Sequence, residues 1–201
     1  MIQPIVEGYG EVPAVPVLLR RLAGLMEIPY LNVGSPIRSK RTQLTQEEGL
    51  KNAVQMARSQ PGCTGIIVMF DADDDCPKEL APRILKWAQD AARPLPCSVV
   101  LPKREYEGWF LACLESLLEA RGIQPAVPYD KDAETKRDAK GELESRFGEK
   151  FRYYERTDQP ALSALADWAL VHARSRSFRK MAKETRSLFI AAGLAPSCWP
   201  N

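Results

Sequence analysis

Three short acidic segments of this 201-residue chain each follow an apolar segment that has the composition of a β-strand. They are residues 7–11, 71–75 and 105–107. If the apolar segments are neighbouring strands of one parallel sheet, their carboxyl ends meet at the edge where open α/β sheets bind ligands. Six or seven carboxylates would then lie together, and they would repel one another strongly unless a cation bound among them. The spacing therefore predicts a divalent-metal site.

The segment 71–75 carries the strongest metal-binding pattern. Asp71 and Asp73 are expected on the same side of an extended strand end, because side chains alternate along a strand. Hard ions such as Mg²⁺ and Mn²⁺ prefer oxygen ligands of this kind. The alternative is an acidic turn in which Asp74 and Asp75 cap the following helix. An EF-hand loop is disfavoured, since its sixth position holds no glycine and its twelfth no glutamate.

Glu7 and Glu11 flank a glycine-containing turn between a predicted strand and a predicted helix. Gly8 and Gly10 allow a tight turn and leave space for a ligand. Capping at the helix start is an adequate alternative role for Glu11. It accounts poorly for Glu7, which we interpret as a metal ligand because a carboxylate at a buried strand end is costly without a partner. The turn lacks the third glycine of a dinucleotide fingerprint and the Gly-Lys-Ser/Thr of a P-loop.

The third acidic segment contains Glu105 and Glu107. Either residue is open to a second interpretation as a helix cap or a surface charge. If it is functional, Glu107 is a third acidic group at the same sheet edge. Trp109 and Phe110, which follow directly, are interpreted as core residues rather than as residues that stack on nucleobases.

Near the end of the chain, basic and hydroxyl side chains are concentrated on one predicted helix. Arg176, Ser177, Arg179 and Lys180 form either a solvated helix face or a phosphate-binding group. The only histidine, His172, is interpreted as a partly buried helix residue rather than a general base. Hydrolases that use a Ser-His-Asp or Cys-His arrangement are therefore disfavoured, and no Gly-x-Ser-x-Gly elbow is present.

Composition limits the classes of protein to be considered. Hydrophobic residues make up 45% of the chain, and 28 Lys and Arg against 26 Asp and Glu leave a net charge of only +2. No apolar segment approaches the ~20 residues that span a bilayer, and the first residues do not have the pattern of a signal peptide. The five cysteines include no Cys-x-x-Cys pair, so we expect free thiols, no zinc site and a cytoplasmic location.

Alternating strand-like and helix-like segments predict an α/β fold with a central, mostly parallel sheet of about four strands flanked by helices. A helical C-terminal extension follows. We assign residues 1–122 to the α/β core and residues 123–201 to a loop and helical extension packed on the same domain. The predicted strands are 2–6, 31–37 as an edge candidate, 65–70 and 97–101. The main predicted helices are 13–25, 45–59, 78–92, 108–121, 159–173 and 177–192.

The order of these segments resembles that of Toprim-type domains of primases, topoisomerases and OLD-type nucleases. It resembles more closely a Toprim-like bacterial family called domain of unknown function 4276. The matching residues cover nearly the whole chain: Val6-Glu7-Gly8 with Glu11, Phe70-Asp71-Ala72-Asp73, Glu105-Tyr106-Glu107-Gly108-Trp109-Phe110, Lys140, Tyr154, and Arg176-Ser177-Phe178-Arg179-Lys180.

The resemblance implies a Toprim-like fold in which Glu7, Asp71 and Asp73 organise Mg²⁺ or Mn²⁺ for phosphodiester chemistry. Glu11 and Glu107 have no fixed place in the Toprim pattern and are further catalytic candidates. The implied function is a Mg²⁺-dependent phosphoesterase, most simply a nuclease acting on DNA or RNA beside a partner ATPase in bacterial defence. The alternative is a non-catalytic Toprim-like interaction or regulatory subunit. Nucleic acid is the expected partner, no membrane is expected, and a homodimer stays open.

Overall fold

The computed structural model describes residues 1–197 and residue 199, and its centre is a four-stranded sheet. All strand pairs are parallel, and the strand order is β2-β1-β3-β4. The predicted fold class is therefore confirmed: an α/β domain with a parallel sheet flanked by helices and a helical C-terminal region. It is consistent with a Toprim-like fold. The strands are β1 Ile2–Val6, β2 Ile37–Arg38, β3 Gly65–Met69 and β4 Cys97–Val100.

Helices cover both faces of the sheet. Side chains alternate along each strand, so Ile5 and Val68 pack against α3 and α4, whereas Val6 and Met69 pack against α1, α5 and α10. The helices are α1 Glu11–Leu25, α2 Arg41–Leu44, α3 Glu47–Arg58, α4 Pro77–Ala92, α5 Glu107–Ala112, α6 Leu114–Ala120, α7 Ala139–Phe147, α8 Glu155–Leu165, α9 Trp168–Arg174 and α10 Arg176–Ala191. Within the described residues, no helix is long and apolar enough to cross a membrane.

The C-terminal helices share an apolar core with the first half of the chain. The rings of Trp168 and Phe178 stack with their centroids 5.0 Å apart, and Phe178 meets Trp109 edge-on at 5.1 Å. Trp109 and Phe110 are fully buried, which confirms that they are core residues. Because α8 lies along α1 in this core, it reaches the carboxyl-terminal edge of the sheet.

Several predicted element boundaries are wrong. The edge strand forms its ladder only at Ile37–Arg38, with one further bridge from Val33 to Ile2. The predicted helix 108–121 is interrupted at Cys113, whose φ of −124° and ψ of 31° are not helical. Likewise, the predicted helix 159–173 begins earlier and is divided into α8 and α9.

The start of the predicted helix 45–59 is also wrong. The helix α3 begins at Glu47 and has no side-chain cap, because the Thr45 hydroxyl instead donates to the Arg41 carbonyl at 2.9 Å. The thiols at the described positions are free, as expected: Cys63, Cys76, Cys97 and Cys113. Cys198 lies outside the described residues.

Gly10 is the point at which α8 approaches the turn after β1 most closely. A Cβ atom at Gly10 would lie 2.1 Å from Gln159 Oε1 and 2.9 Å from the Glu155 carbonyl oxygen. We therefore expect Gly10→Ala to lower the free energy of unfolding by about 1–3 kcal/mol, since the backbone of α8 has to move. Urea unfolding measures this loss. Gly8→Ala is the matched control, because its Cβ would meet only Glu11 atoms at an ordinary 3.7 Å; equal losses in both variants would contradict the expectation.

Candidate functional site

A cleft of about 370 Å³ opens at the carboxyl-terminal edge of the sheet. Seven of its lining residues are acidic: six come from the three acidic segments singled out in the sequence, and the seventh, Glu155, comes from α8. The site residues Glu7, Glu11, Asp71, Asp73 and Glu107 all line it. The other lining residues are Gly8, Gly10, Glu105, Lys140, Glu155 and Gln159.

Strand register accounts for the proximity of Glu7 and Asp71. Val6 pairs with Met69 at the ends of β1 and β3, so the residues that follow leave the sheet side by side. The backbone N–H of Tyr106 donates to Asp71 Oδ1 at 2.9 Å, which joins the end of β3 to the segment after β4. Neighbouring parallel strands therefore deliver these groups to one cleft.

Glu11 closes the turn that precedes its own helix. Its Oε2 accepts hydrogen bonds from the backbone N–H groups of Glu7 and Gly8, both at 2.8 Å. The side chain makes no cap hydrogen bond to the start of α1, so the capping interpretation is replaced by one of turn closure. Burial raises the pKa of Glu11 to about 7, although the two backbone donors act in the opposite direction.

Glu107 is buried at the start of α5, so the surface-charge interpretation is wrong for this residue. The Tyr153 hydroxyl donates to its Oε1 at 2.9 Å. Burial raises the pKa of the Glu107 carboxyl, while the charge of Lys140 and the Tyr153 hydrogen bond lower it. Glu105, two residues earlier, accepts a hydrogen bond from the Asp138 N–H at 2.9 Å.

Asp73 reaches the cleft through a turn and not through an extended strand end. The strand β3 ends at Met69, and Asp73 has a left-handed φ of 51°, so the predicted alternation with Asp71 is wrong. Asp73 is the more accessible of the pair, with 55% of its side chain exposed. Burial raises the pKa of Asp71 well above its usual range, and the neighbouring carboxylates raise it further.

Asp74 and Asp75 lie in an acidic turn, as the alternative expected, but the part of it in which they cap α4 is wrong. Asp74 pairs with Arg104 at 2.8 Å, and Asp75 pairs with Arg41 at 2.6 Å. These acids therefore bind basic side chains at the rim, whereas Asp71 points inward.

Arg41 supplies one internal positive charge to the acidic group. Its guanidinium lies 3.4 Å from Asp73 Oδ2 and 4.0 Å from Glu7 Oε2. It also donates to the carbonyl oxygens of Asp71 and Ala72. One side chain thus links the turn after β3 to Glu7.

Lys140 supplies a second positive charge from α7. Its ammonium group donates to Glu155 Oε1, where α8 begins. Partial burial alone would lower the pKa of Lys140, but the charges of Glu107, Glu155 and Asp71 raise it above its ordinary value. It is therefore fully protonated near neutral pH.

Arg41 and Lys140 neutralise only part of the negative charge in the cleft. Glu7 Oε2 is buried without a hydrogen-bond partner, and burial raises the pKa of Glu7. In the described part of the chain, the carboxylates do not form a preorganised set of three or more metal ligands. Hydrogen bonds from backbone N–H groups orient Glu11 and Asp71, and one from the Tyr153 hydroxyl orients Glu107. Glu7 retains an oxygen that is available to a cation.

The pKa of Glu11 gives a pH dependence with a definite sign. Because its folded pKa of about 7 exceeds the ordinary 4.5, the folded state holds this proton more tightly than the unfolded state does. Stability of the metal-free protein should therefore fall as pH rises from about 4.5 to about 7, by about 2 kcal/mol from this group. Urea unfolding in EDTA between pH 5 and pH 8 measures the slope.

Glu11→Gln is the control for this slope, because the amide oxygen still accepts from the turn but does not titrate. His172 contributes to the pH dependence with the opposite sign, because burial lowers its pKa. This contribution is the same in the wild type and in the variant, so it cancels when the two profiles are compared. We expect the variant to show a flatter profile. Parallel profiles for the two proteins would contradict the assignment.

The basic residues near the C-terminus do not line the cleft. At the start of α10, Ser177 N–H and Ser175 Oγ donate to Glu134 Oε1 at 2.6 and 2.7 Å. Arg176, Arg179 and Lys180 are exposed, and Lys180 pairs with Glu184 at 2.6 Å. A carboxylate of the chain thus occupies this helix start, and the phosphate-binding role of the cluster stays a prediction.

His172 lies on α9, as predicted, with its ring 5.3 Å from that of Trp199 and outside the cleft lining. Sequence reasoning missed Arg41, Glu155 and Gln159 as residues of the site. Arg41 follows the carboxyl end of β2, so the rule that found Glu7 could have found it had the edge strand been placed correctly. For Glu155 and Gln159, the available signal was their i, i+4 spacing on one face of α8.

Comparison of the chain with protein-family models, with curated proteins and with solved structures gives no match. Geometry and residue chemistry are therefore the grounds for assigning a function.

Proposed function

We propose that the protein is a divalent-metal-dependent phosphoesterase that acts on nucleic acid. The observation that carries the proposal is the buried Oε2 of Glu7, which lies without a hydrogen bond in a cleft lined by seven carboxylates. Uncompensated negative charge in a partly buried cleft favours a bound cation. An all-oxygen donor set matches Mg²⁺ or Mn²⁺.

In this proposal Glu7, Asp71 and Asp73 hold the metal. They line the same cleft, and Arg41 contacts the side chains of Glu7 and Asp73 and the carbonyl of Asp71. A bound divalent ion would lower the repulsion among the carboxylates and polarise a phosphoryl oxygen. The Tyr106 N–H keeps Asp71 oriented toward the cleft.

The remaining side chains handle protons and substrate charge. Burial raises the pKa of Glu107, so we assign this carboxyl to proton transfer. Lys140 is a permanent positive charge beside it and would attract a phosphate oxygen. Glu11 holds the glycine turn in shape, so we assign it a positioning role.

The resemblance to Toprim-type domains supports this proposal and extends it. It adds a partner ATPase in a bacterial defence system. A cytoplasmic location, expected from the cysteine usage, and a homodimeric state are further parts of the hypothesis. The parallel sheet is consistent with a Toprim-like fold.

The decisive experiment measures divalent binding and phosphodiester cleavage on the same preparation. We expect Mn²⁺ to bind by isothermal titration calorimetry, and labelled DNA or RNA to be cleaved with Mg²⁺ or Mn²⁺ but not with EDTA. Glu7→Gln should weaken Mn²⁺ binding by at least about tenfold, since it removes the negative charge of the oxygen that has no hydrogen bond. Glu119→Gln, an exposed change on α6, is the control. Cleavage that persists in EDTA would overturn the metal-dependent assignment.

A non-catalytic interaction module is the second candidate, and one observation favours it. Arg41 and Lys140 already neutralise part of the acidic group, as expected of a pocket that has become structural. This candidate predicts that Mn²⁺ neither binds nor raises the melting temperature. Absence of both effects in the wild-type protein would favour it over the enzyme.

A further inference from the structure

An exposed tyrosine at the edge of the acidic cleft is in contact with two arginines. Tyr9 stands between Gly8 and Gly10 in the turn after β1, and 52% of it is exposed. The guanidinium carbon of Arg38 lies 3.9 Å from its ring centroid, and that of Arg156 lies 4.4 Å away. Arg38 also donates to the Tyr9 hydroxyl at 3.1 Å.

These arginines come from separate elements and are brought together by the fold. Arg38 ends β2, whereas Arg156 lies in the first turn of α8. Two guanidinium groups that contact one ring repel each other, and their interaction with the ring compensates only part of that cost. Among the described residues, neither has a carboxylate oxygen within salt-bridge distance. The pair therefore carries positive charge that is available to an anion.

Tyr9 and Arg156 are next in sequence to residues that line the cleft. Gly8 and Gly10 on either side of Tyr9 line the cleft, as does Glu155, the residue before Arg156. A second exposed aromatic residue, Tyr154, is 68% exposed just before α8. The rim thus offers aromatic rings and unpaired guanidinium groups, while the floor is acidic.

We propose that Arg38, Tyr9 and Arg156 form the binding surface for the backbone of a single-stranded nucleic acid. This inference deepens the proposed function, because it names the substrate class and the side from which it approaches the cleft. Guanidinium groups bind phosphate oxygens without regard to sequence. The exposed ring of Tyr154 and the guanidinium planes can stack on unpaired bases, which a duplex keeps inside its helix. Tyr9, whose ring lies against both guanidinium groups, holds them in position. The rim, and not the start of α10, is the phosphate-binding surface.

The test is fluorescence anisotropy of labelled single-stranded and duplex oligonucleotides in EDTA, at low and at physiological salt. EDTA prevents metal-dependent cleavage and separates strand binding from catalysis. We expect the double variant Arg38→Ala/Arg156→Ala to bind the single strand at least about tenfold more weakly. It should also reduce the slope of log affinity against log salt by roughly one to two.

The matched control is Arg176→Ala/Lys180→Ala, which also removes two exposed positive charges but from α10. It should bind within about twofold of the wild type. Tyr154→Leu, which keeps both charges and removes the exposed ring, should weaken single-strand binding and leave duplex binding unchanged. Circular dichroism and melting temperature establish that each variant is folded.

Three results would overturn the inference: no strand binding by the wild type, equal losses in the two double variants, or tighter binding of duplex than of single strand. Its failure is distinguishable from failure of the proposed function. Mn²⁺ titration of Arg38→Ala/Arg156→Ala reports on the metal site alone, and Mn²⁺ binding without strand binding would reject only the rim.

Discussion

Asp71→Asn should abolish metal-dependent phosphodiester cleavage and at the same time stabilise the metal-free protein. The activity should fall by more than about 100-fold. Mutation of a residue that only hydrogen-bonds to a metal ligand already commonly lowers activity 10- to 100-fold. The stability should rise because burial and then the neighbouring carboxylates raise the pKa of Asp71, so its charge is unfavourable in the empty cleft. Relief of about 1 kcal/mol would raise the melting temperature by about 2–4 °C.

The activity should fall while the stability rises. This combination distinguishes a residue of the functional site from a residue that supports the fold. The asparagine oxygen can still accept the hydrogen bond from the Tyr106 N–H, so the local backbone is kept. Asp90→Asn is the matched control, since Asp90 makes only a surface pair with Arg93 at 3.2 Å. Scanning fluorimetry in EDTA and in Mn²⁺ measures the stabilities. A loss of both stability and activity would show that Asp71 mainly supports the fold.

Arg41→Ala should have the largest effect on the balance of charge in the cleft. Removing the guanidinium leaves Glu7, Asp73 and Asp75 without their shared partner and should destabilise the metal-free protein by about 2 kcal/mol. It also removes a positive charge that repels an incoming cation, so the affinity for Mn²⁺ should rise by about tenfold. Calorimetric titration with Mn²⁺ and urea unfolding in EDTA measure the two changes.

Arg41→Lys is the control that keeps the charge but cannot span the same set of oxygens. We expect its Mn²⁺ affinity to stay near that of the wild type, while its stability falls through weaker contacts with the carbonyls of Asp71 and Ala72. If Arg41→Ala instead bound Mn²⁺ more weakly, Arg41 would be needed to shape the metal site. If neither variant bound Mn²⁺, the non-catalytic candidate would gain support.

The central strands could be predicted from the sequence because burial on both faces requires a continuous apolar segment. Ile2–Val6 was predicted with its observed bounds, and Gly65–Met69 within one residue. The edge strand was harder to predict, because Gly34 and Pro36 interrupt its apolar pattern. Of the predicted edge segment and the residue after it, Ile37–Arg38 form the regular ladder with β1. The break at Cys113 has no local signal, because the apolar pattern of a helix continues through it.

The acidic half of the candidate site was also predictable. Glu7, Asp71, Asp73 and Glu107 each follow a strand, and parallel strands bring their carboxyl ends together. The part contributed by the later helices was not, since Lys140 and Glu155 belong to helices placed over the cleft by tertiary packing alone. Lys140 was noted only as part of the family resemblance, and nothing in its sequence neighbourhood indicates that it meets Glu155.

The distribution of the cleft residues along the chain has a consequence for biosynthesis. Glu7 leaves the ribosome early, whereas Lys140, Glu155 and Gln159 are translated much later. A nascent polypeptide that has emerged only through residue 122 therefore carries most of the anionic residues without the lysine and the helix that complete the pocket. The growing chain cannot assemble this pocket until most of it has been synthesised.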